Sequence, residues 1–156
     1  MKNCEFCGEG SLKKKKVKNY KYNTSLGVIT VEGEVSILEC SSCKESFIPG
    51  ELIARWNRSI LKHLKEKATH LSPSELKFIF SVLPYSQSNI AEATGKDRST
   101  LTKYKNGENP TDPLFDHTLR EIIEDYIHDR TDTLEALTAR HQPSGKERPI
   151  KKIKAA

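Results

Sequence analysis

No cysteine occurs after residue 43, and no apolar run approaches the length that a membrane span needs. The N-terminus, MKNCEFCGEG, lacks the apolar core of a secretory leader, so the chain is expected in the cytoplasm with no membrane association. Hydrophobic residues are scarce, 35% against 30% charged, which is too few for one large core in 156 residues. Aromatics make up 7%, with a single tryptophan. Small modules, at least one of them held by something besides apolar packing, suit this composition better. There is also no nucleophile–base pair, no carboxylate cluster and no His–Glu pair beside the cysteines to activate water, so no enzyme is expected.

What the chain does have is positive charge. A formal net charge of +5 and a pI of about 9.0 favour an anionic partner without identifying it.

The four cysteines are spaced as Cys4-x-x-Cys7 and Cys40-x-x-Cys43. In a reducing compartment paired CxxC units are metal ligands rather than disulfides. Two such knuckles complete a tetrahedral four-sulfur site with no open position, so one structural Zn2+ per chain is expected. Gly8 follows the first knuckle where a left-handed turn is common, and Lys44 takes the matching place after the second. The long gap between the knuckles must hold structure. Val28 to Glu39 is rich in β-branched residues around Gly33, a candidate turn or bulge, and Lys13 to Tyr22 is a second candidate strand. Residues 1–48 thus read as a small antiparallel sheet pinned at one end by metal. The run Lys13 to Lys16 fits either a solvated strand edge that resists edge pairing or a contact to an acidic partner.

Residues 49–70 read as a connecting helix that starts near Pro49. Leu52, Ile53, Trp56, Ile60, Leu61 and Leu64 form its apolar stripe. Trp56 is expected to be buried, against the zinc module or a second copy. His63 and His70 lack metal-ligand spacing and read as ordinary surface or interface residues.

Residues 71–130 carry the pattern that organises the chain. Ser72-Pro-Ser-Glu75 is a capping box opening a helix with Leu76, Phe78, Ile79, Val82 and Leu83 on its core face. Gln87 to Gly107, QSNIAEATGKDRSTLTKYKNG, then parses as helix, tight turn, helix. Ser86 caps the first helix, Gly95 stops it, and Asp97 caps the second through its side chain. Leu101 and Tyr104 give that second helix a thin buried side, and its other faces are basic and hydroxylic. That profile suits the major groove of double-stranded DNA. Arg98, Ser99, Thr100 and Lys103 are candidates to meet base edges, with Lys96, Lys105 and Asn106 nearer the backbone. Ser86 and Gln87 lie at a helix N-terminus that favours phosphate. Pro113 leads into a last strong stripe, in which Leu119, Ile122, Ile123 and Tyr126 are candidates for a homodimer interface. From Thr131 the apolar pattern weakens; DTLEALTAR could prolong the helix, but residues 131–156 are assigned to a flexible basic tail. The fold class expected is α+β, a small zinc-stabilised antiparallel β module followed by an all-α helix-turn-helix bundle.

With Cys4, Cys7, Cys40 and Cys43 at one end and a helix-turn-helix ending TKYKNGENP downstream, roughly residues 1 to 127 resemble the MqsA/YgiT-type antitoxins of bacterial toxin–antitoxin systems. The resemblance implies a zinc domain that binds a cognate toxin, commonly an mRNA-cleaving one, and a dimeric domain that represses its own operon. In that family the recognition helix carries Asn and Arg four residues apart before a Tyr. Here Ser99 and Lys103 take those places before Tyr104, so the operator sequence does not carry over. The expectation is an autoregulatory antitoxin and repressor. The alternative is a stand-alone helix-turn-helix regulator of a phage or mobile element, with a structural zinc module and no toxin.

Overall fold

The computed structural model describes residues 3–141, which form a three-stranded antiparallel sheet followed by six helices, an α+β fold. None of these helices is long and apolar enough to cross a membrane.

Strands β1 (Leu12–Thr24) and β2 (Gly27–Cys40) form a long hairpin, and β3 (Ser46–Phe47) adds two residues to the far edge of β2. Pairing runs from Leu12 opposite Cys40 to Thr24 opposite Gly27, with one interruption. Lys18 faces Glu34 but Tyr20 faces Val31, so Asn19 lies opposite both Glu32 and Gly33. Gly33 takes φ +90°, Asn19 takes φ +50°, and the Gly33 N–H donates to Asn19 Oδ1 at 3.3 Å. This bulge has a packing consequence. Strand side chains alternate faces with period two, so Val17 and Tyr20 would otherwise point opposite ways. The irregularity brings Val17, Tyr20 and Tyr22 to one face with Val31, Val35 and Ile37.

Trp56 of α1 (Gly50–Glu66) covers that face. Its ring lies 5.7 Å from Tyr20 and 5.1 Å from Tyr22, and the Tyr22 hydroxyl donates to Asn57 Oδ1 at 3.0 Å. The tryptophan is thus buried on the sheet of its own chain. Removing a side chain of this size from such a contact costs about 3–5 kcal/mol. Pro49 proves to be the N-cap of α1 rather than its first residue, and it offers no side-chain cap.

The second core lies among helices α2 (Pro73–Val82), α3 (Gln87–Thr94), α4 (Arg98–Asn106) and α5 (Pro113–Ile127). Leu61 and Leu64 from α1 enter it, and Leu26 at the hairpin tip packs against it. Residues 50–66 therefore do more than connect, because one end of α1 backs the sheet and the other closes the helical core. Arg120 of α5 fixes this closure. Its guanidinium donates to the carbonyls of Lys65 (2.8 Å), Lys67 (2.6 Å) and Thr69 (2.7 Å), where α1 ends and its own carbonyls lack partners. Its Nε binds Asp116 Oδ2 at 2.8 Å, while Asp116 Oδ1 accepts the Leu71 N–H at 3.0 Å.

Two expectations need correction. Leu119, Ile122 and Ile123 are fully buried within one chain, in the core that holds Leu61, Leu64 and Leu71, so they cannot face a second copy. Tyr126, the fourth residue assigned to that interface, is half-buried with Arg58 stacked 5.3 Å from its ring centre. Asp132–His141, assigned to a flexible tail, forms α6 and packs on α3. Asp125 anchors its start by accepting the Thr133 N–H at 2.7 Å and pairing with Arg130 at 3.1 Å. The rest of the tail, 142–156, lies outside the described residues.

Candidate metal centre and nucleic-acid interface

The hairpin ends where the cysteines meet. The Sγ atoms of Cys4, Cys7, Cys40 and Cys43 all lie within 4.8 Å of one another. Cys4 is 3.8 Å from Cys43 and Cys7 is 3.6 Å from Cys40. A tetrahedron with metal–sulfur legs of ~2.3 Å has edges of ~3.8 Å, so the four sulfurs could hold one metal ion. Backbone geometry sets this spacing. Gly8 turns the first knuckle at φ +73° and Lys44 turns the second at φ +63°, the matching left-handed positions in the two knuckles.

Gly10 has no marker in the sequence, yet it limits the site most tightly. A Cβ there would stand 2.2 Å from Cys40 Sγ and 2.9 Å from Ser42 Cβ. Its carbonyl accepts the Cys4 N–H at 2.7 Å. Only glycine fits against the sulfur, and a CxxC pattern carries no sign of it.

The thiols are poised unequally. The Gly10 and Glu9 backbone N–H groups, with help from neighbouring sulfurs, bring the Cys7 thiol down to about 6. Cys43 goes the other way, to about 12: the Glu45 N–H favours its thiolate but is outweighed by burial and by the other three sulfurs. Four thiolates this close repel one another, and a bound cation removes that repulsion. With a divalent ion the centre would be dianionic. Lys13, Lys14, Lys15 and Lys44 line the cleft beside Cys40 and Ser41, where they offset such charge. Lys15 also pairs with Glu39, and Lys16 with Glu34 at 2.7 Å.

The second candidate site is the α3–turn–α4 unit. Ser86 caps α3 in a reciprocal box with Asn89, each side chain holding the other's backbone N–H. Gly95 ends α3 at φ +64°, and the Lys96 N–H reaches back to the Ala91 carbonyl at 2.9 Å, as a left-handed C-cap requires. Asp97 occupies the N-cap of α4 but makes no side-chain cap bond, contrary to expectation. Ile90, Ala91 and Ala93 from α3 and Leu101 and Tyr104 from α4 are buried, which sets the angle of the pair.

No family model and no curated protein matches the chain.

The residues expected to touch nucleic acid separate into two groups. Arg98, Ser99, Lys103 and Asn106 are exposed on α4, and among the described residues the Arg98 and Lys103 side chains form no ion pair or hydrogen bond. Thr100 is half-buried. The second group is committed within the fold. Lys96 pairs with Asp112 at 2.7 Å, which raises its own affinity for the proton. Gln87 and Lys105 bind each other at 2.5 Å, and Lys105 also lies over the Phe80 ring. Ser86 is exposed, but its hydroxyl is held by Asn89 at 2.6 Å. Backbone phosphate roles for Lys96, Gln87 and Lys105 therefore compete with existing bonds.

Asp112 is the residue that joins this unit to α5. Besides Lys96 it accepts the Tyr104 hydroxyl at 2.8 Å and, as N-cap of α5, the Phe115 N–H at 2.9 Å. The Lys96 ammonium first, then these donors, hold its carboxyl at about 2. Tyr104 is buried and its phenol is raised, by burial and then by Asp112, so it stays protonated and donates.

Proposed function

We propose that the protein is a sequence-specific repressor that reads double-stranded DNA with α4 and acts as the antitoxin of a toxin–antitoxin pair. The observation that carries the DNA reading is the outward face of α4, on which Arg98, Ser99, Lys103 and Asn106 are exposed while neighbouring polar residues are taken up inside the fold. Arg and Lys donate to guanine acceptors and Ser serves several edges, so this face has the chemistry of base readout. In this reading a homodimer would place two copies of α4 about 34 Å apart, in successive major grooves of an operator.

The metal would be one structural Zn2+ held by Cys4, Cys7, Cys40 and Cys43, with no catalytic role and no open coordination position. It would stabilise the end of the β1–β2 hairpin, whose apolar face packs on Trp56. The antitoxin part of the proposal rests on the resemblance in cysteine pairing and helix-turn-helix order. It assigns the zinc-held sheet to a cognate toxin and the cytoplasm as the site of action.

One observation favours the alternative of a stand-alone regulator. The sheet is not hung on a free linker, because Trp56 and Leu26 tie it to the helical body. A metal module serving only to brace the DNA-binding part would be attached in this way. Affinity capture of the tagged chain from its native host, with bound protein and bound DNA both identified, separates the two. A small protein encoded next door together with the shared promoter supports the antitoxin, whereas promoter DNA alone supports the stand-alone regulator.

A further inference from the structure

We infer that Gln87 is a positioning residue that sets the rotation of α4 about its own axis, and so decides which side chains reach the bases; this rests on the DNA reading proposed above. Gln87 is the first residue of α3 and half-buried. Its Nε2 donates to the Arg98 carbonyl and to Thr102 Oγ1, both at 2.9 Å. Its Oε1 accepts from Lys105 Nζ at 2.5 Å. The partners fall at positions 98, 102 and 105, a single stripe along the whole of α4. The Arg98 carbonyl and Thr102 Oγ1 lie 3.0 Å apart, so Nε2 holds α4 at one point along its middle, and Lys105 reaches back to Oε1 from the next turn.

The grip is itself braced. Thr102 Oγ1 donates to the Arg98 carbonyl at 3.0 Å, which leaves its lone pairs turned to Gln87. Lys105 lies 5.5 Å from the centre of the Phe80 ring on α2, so the far end of the stripe is held to a third helix. Residues 99, 103 and 106 form the adjacent stripe, about 100° round the helix. A turn of α4 by a few tens of degrees would carry Ser99 and Lys103 off any base edge. The Tyr104 hydroxyl on Asp112 holds one side of the helix at 2.8 Å, and the Gln87 contacts hold the side next to Ser99 and Lys103.

The test uses the full chain and two duplexes, one selected by it from a random pool and one of scrambled sequence. Gln87→Ala is expected to weaken binding to the selected duplex by about tenfold or more, with binding to the scrambled duplex and the melting temperature held. Thr102→Val should do the same, Thr102→Ser should restore wild-type preference, and the double variant Gln87→Ala/Thr102→Val should be no worse than either alone. Equal losses on both duplexes would make Gln87 a phosphate contact and overturn the inference, as would a silent Thr102→Val. The side-chain amide protons of Gln87, followed by NMR without DNA, keep the two claims apart. Protected amide protons in a chain that prefers no duplex would defeat the DNA reading. Freely exchanging ones in a chain that does prefer a duplex would defeat the positioning role alone.

Discussion

Replacing Asp112 with asparagine probes the joint between α4 and α5. Asparagine is a good N-cap, so the bond from the Phe115 N–H survives the change. What is lost is the charge that pairs with Lys96 and draws in the Tyr104 hydroxyl. Moving a carboxyl from 3.8 to about 2 corresponds to ~2.4 kcal/mol at about 1.36 kcal/mol per pH unit. The Asp112 side chain is 33% exposed, and solvent screening reduces the expected loss to about 1–2 kcal/mol. For a chain of this size that is a fall of about 2–8 °C in melting temperature at pH 7. The pH dependence has a definite sign. The folded-state value is depressed, so the stabilisation is fully present above the unfolded value near 3.8 and is lost as pH falls through about 2. Thermal denaturation of wild type and Asp112→Asn from pH 7 to pH 2 should show a gap that closes below pH 4. A variant as stable as wild type at pH 7, or a gap that persists unchanged at pH 2, would refute the role given to the ion pair.

Cys40→Ser, or stripping metal with a chelator, should unfold the β1–β2 hairpin, because a structural metal supplies ~10 kcal/mol or more of folding energy; loss of sheet signal and a red shift of Trp56 emission report it. Gly10→Ala should lower metal affinity without changing any ligand, as metal titration would show. Arg120→Met should cost about 3–5 kcal/mol by leaving Asp116 and the end of α1 without their partner, read as a fall in denaturation midpoint. Lys103→Ala should weaken binding to a selected duplex by ~1–3 kcal/mol and leave scrambled DNA almost unaffected if it reads a base; equal losses on both would mark a phosphate contact.

Much of this architecture is legible in local sequence. The two CxxC pairs predict a shared site, and Ser72, Ser86, Gly95 and Gly107 mark helix ends where the chain places them. These signals act over a few residues and depend little on the rest of the chain. Two misreadings are local, the missing Asp97 side-chain cap and the place of Pro49, and the others are long-range. Leu119, Ile122 and Ile123 read as a surplus stripe because nothing local announces that Leu61, Leu64 and Leu71 share their core. Lys96 and Gln87 read as free because their partners, Asp112 on one side and residues 98, 102 and 105 on the other, are set by how helices pack. The helix from Asp132 is hard to see in sequence because its apolar pattern is weak and its contacts with α3 hold it in place. The bulge is half legible, because Gly33 reads as either a turn or a bulge, and only its pairing opposite Asn19 decides for the bulge.

The most direct test of α4 as a DNA reader is selection of duplexes from a random pool by the metal-loaded full chain, repeated with Arg98→Ala/Lys103→Ala. The expected result is enrichment of a short inverted repeat with half-sites about one helical turn apart, and its disappearance in the variant while salt-sensitive binding to random DNA remains. No enrichment by the wild-type chain, or the same repeat enriched by the variant, would contradict a DNA-reading role for α4.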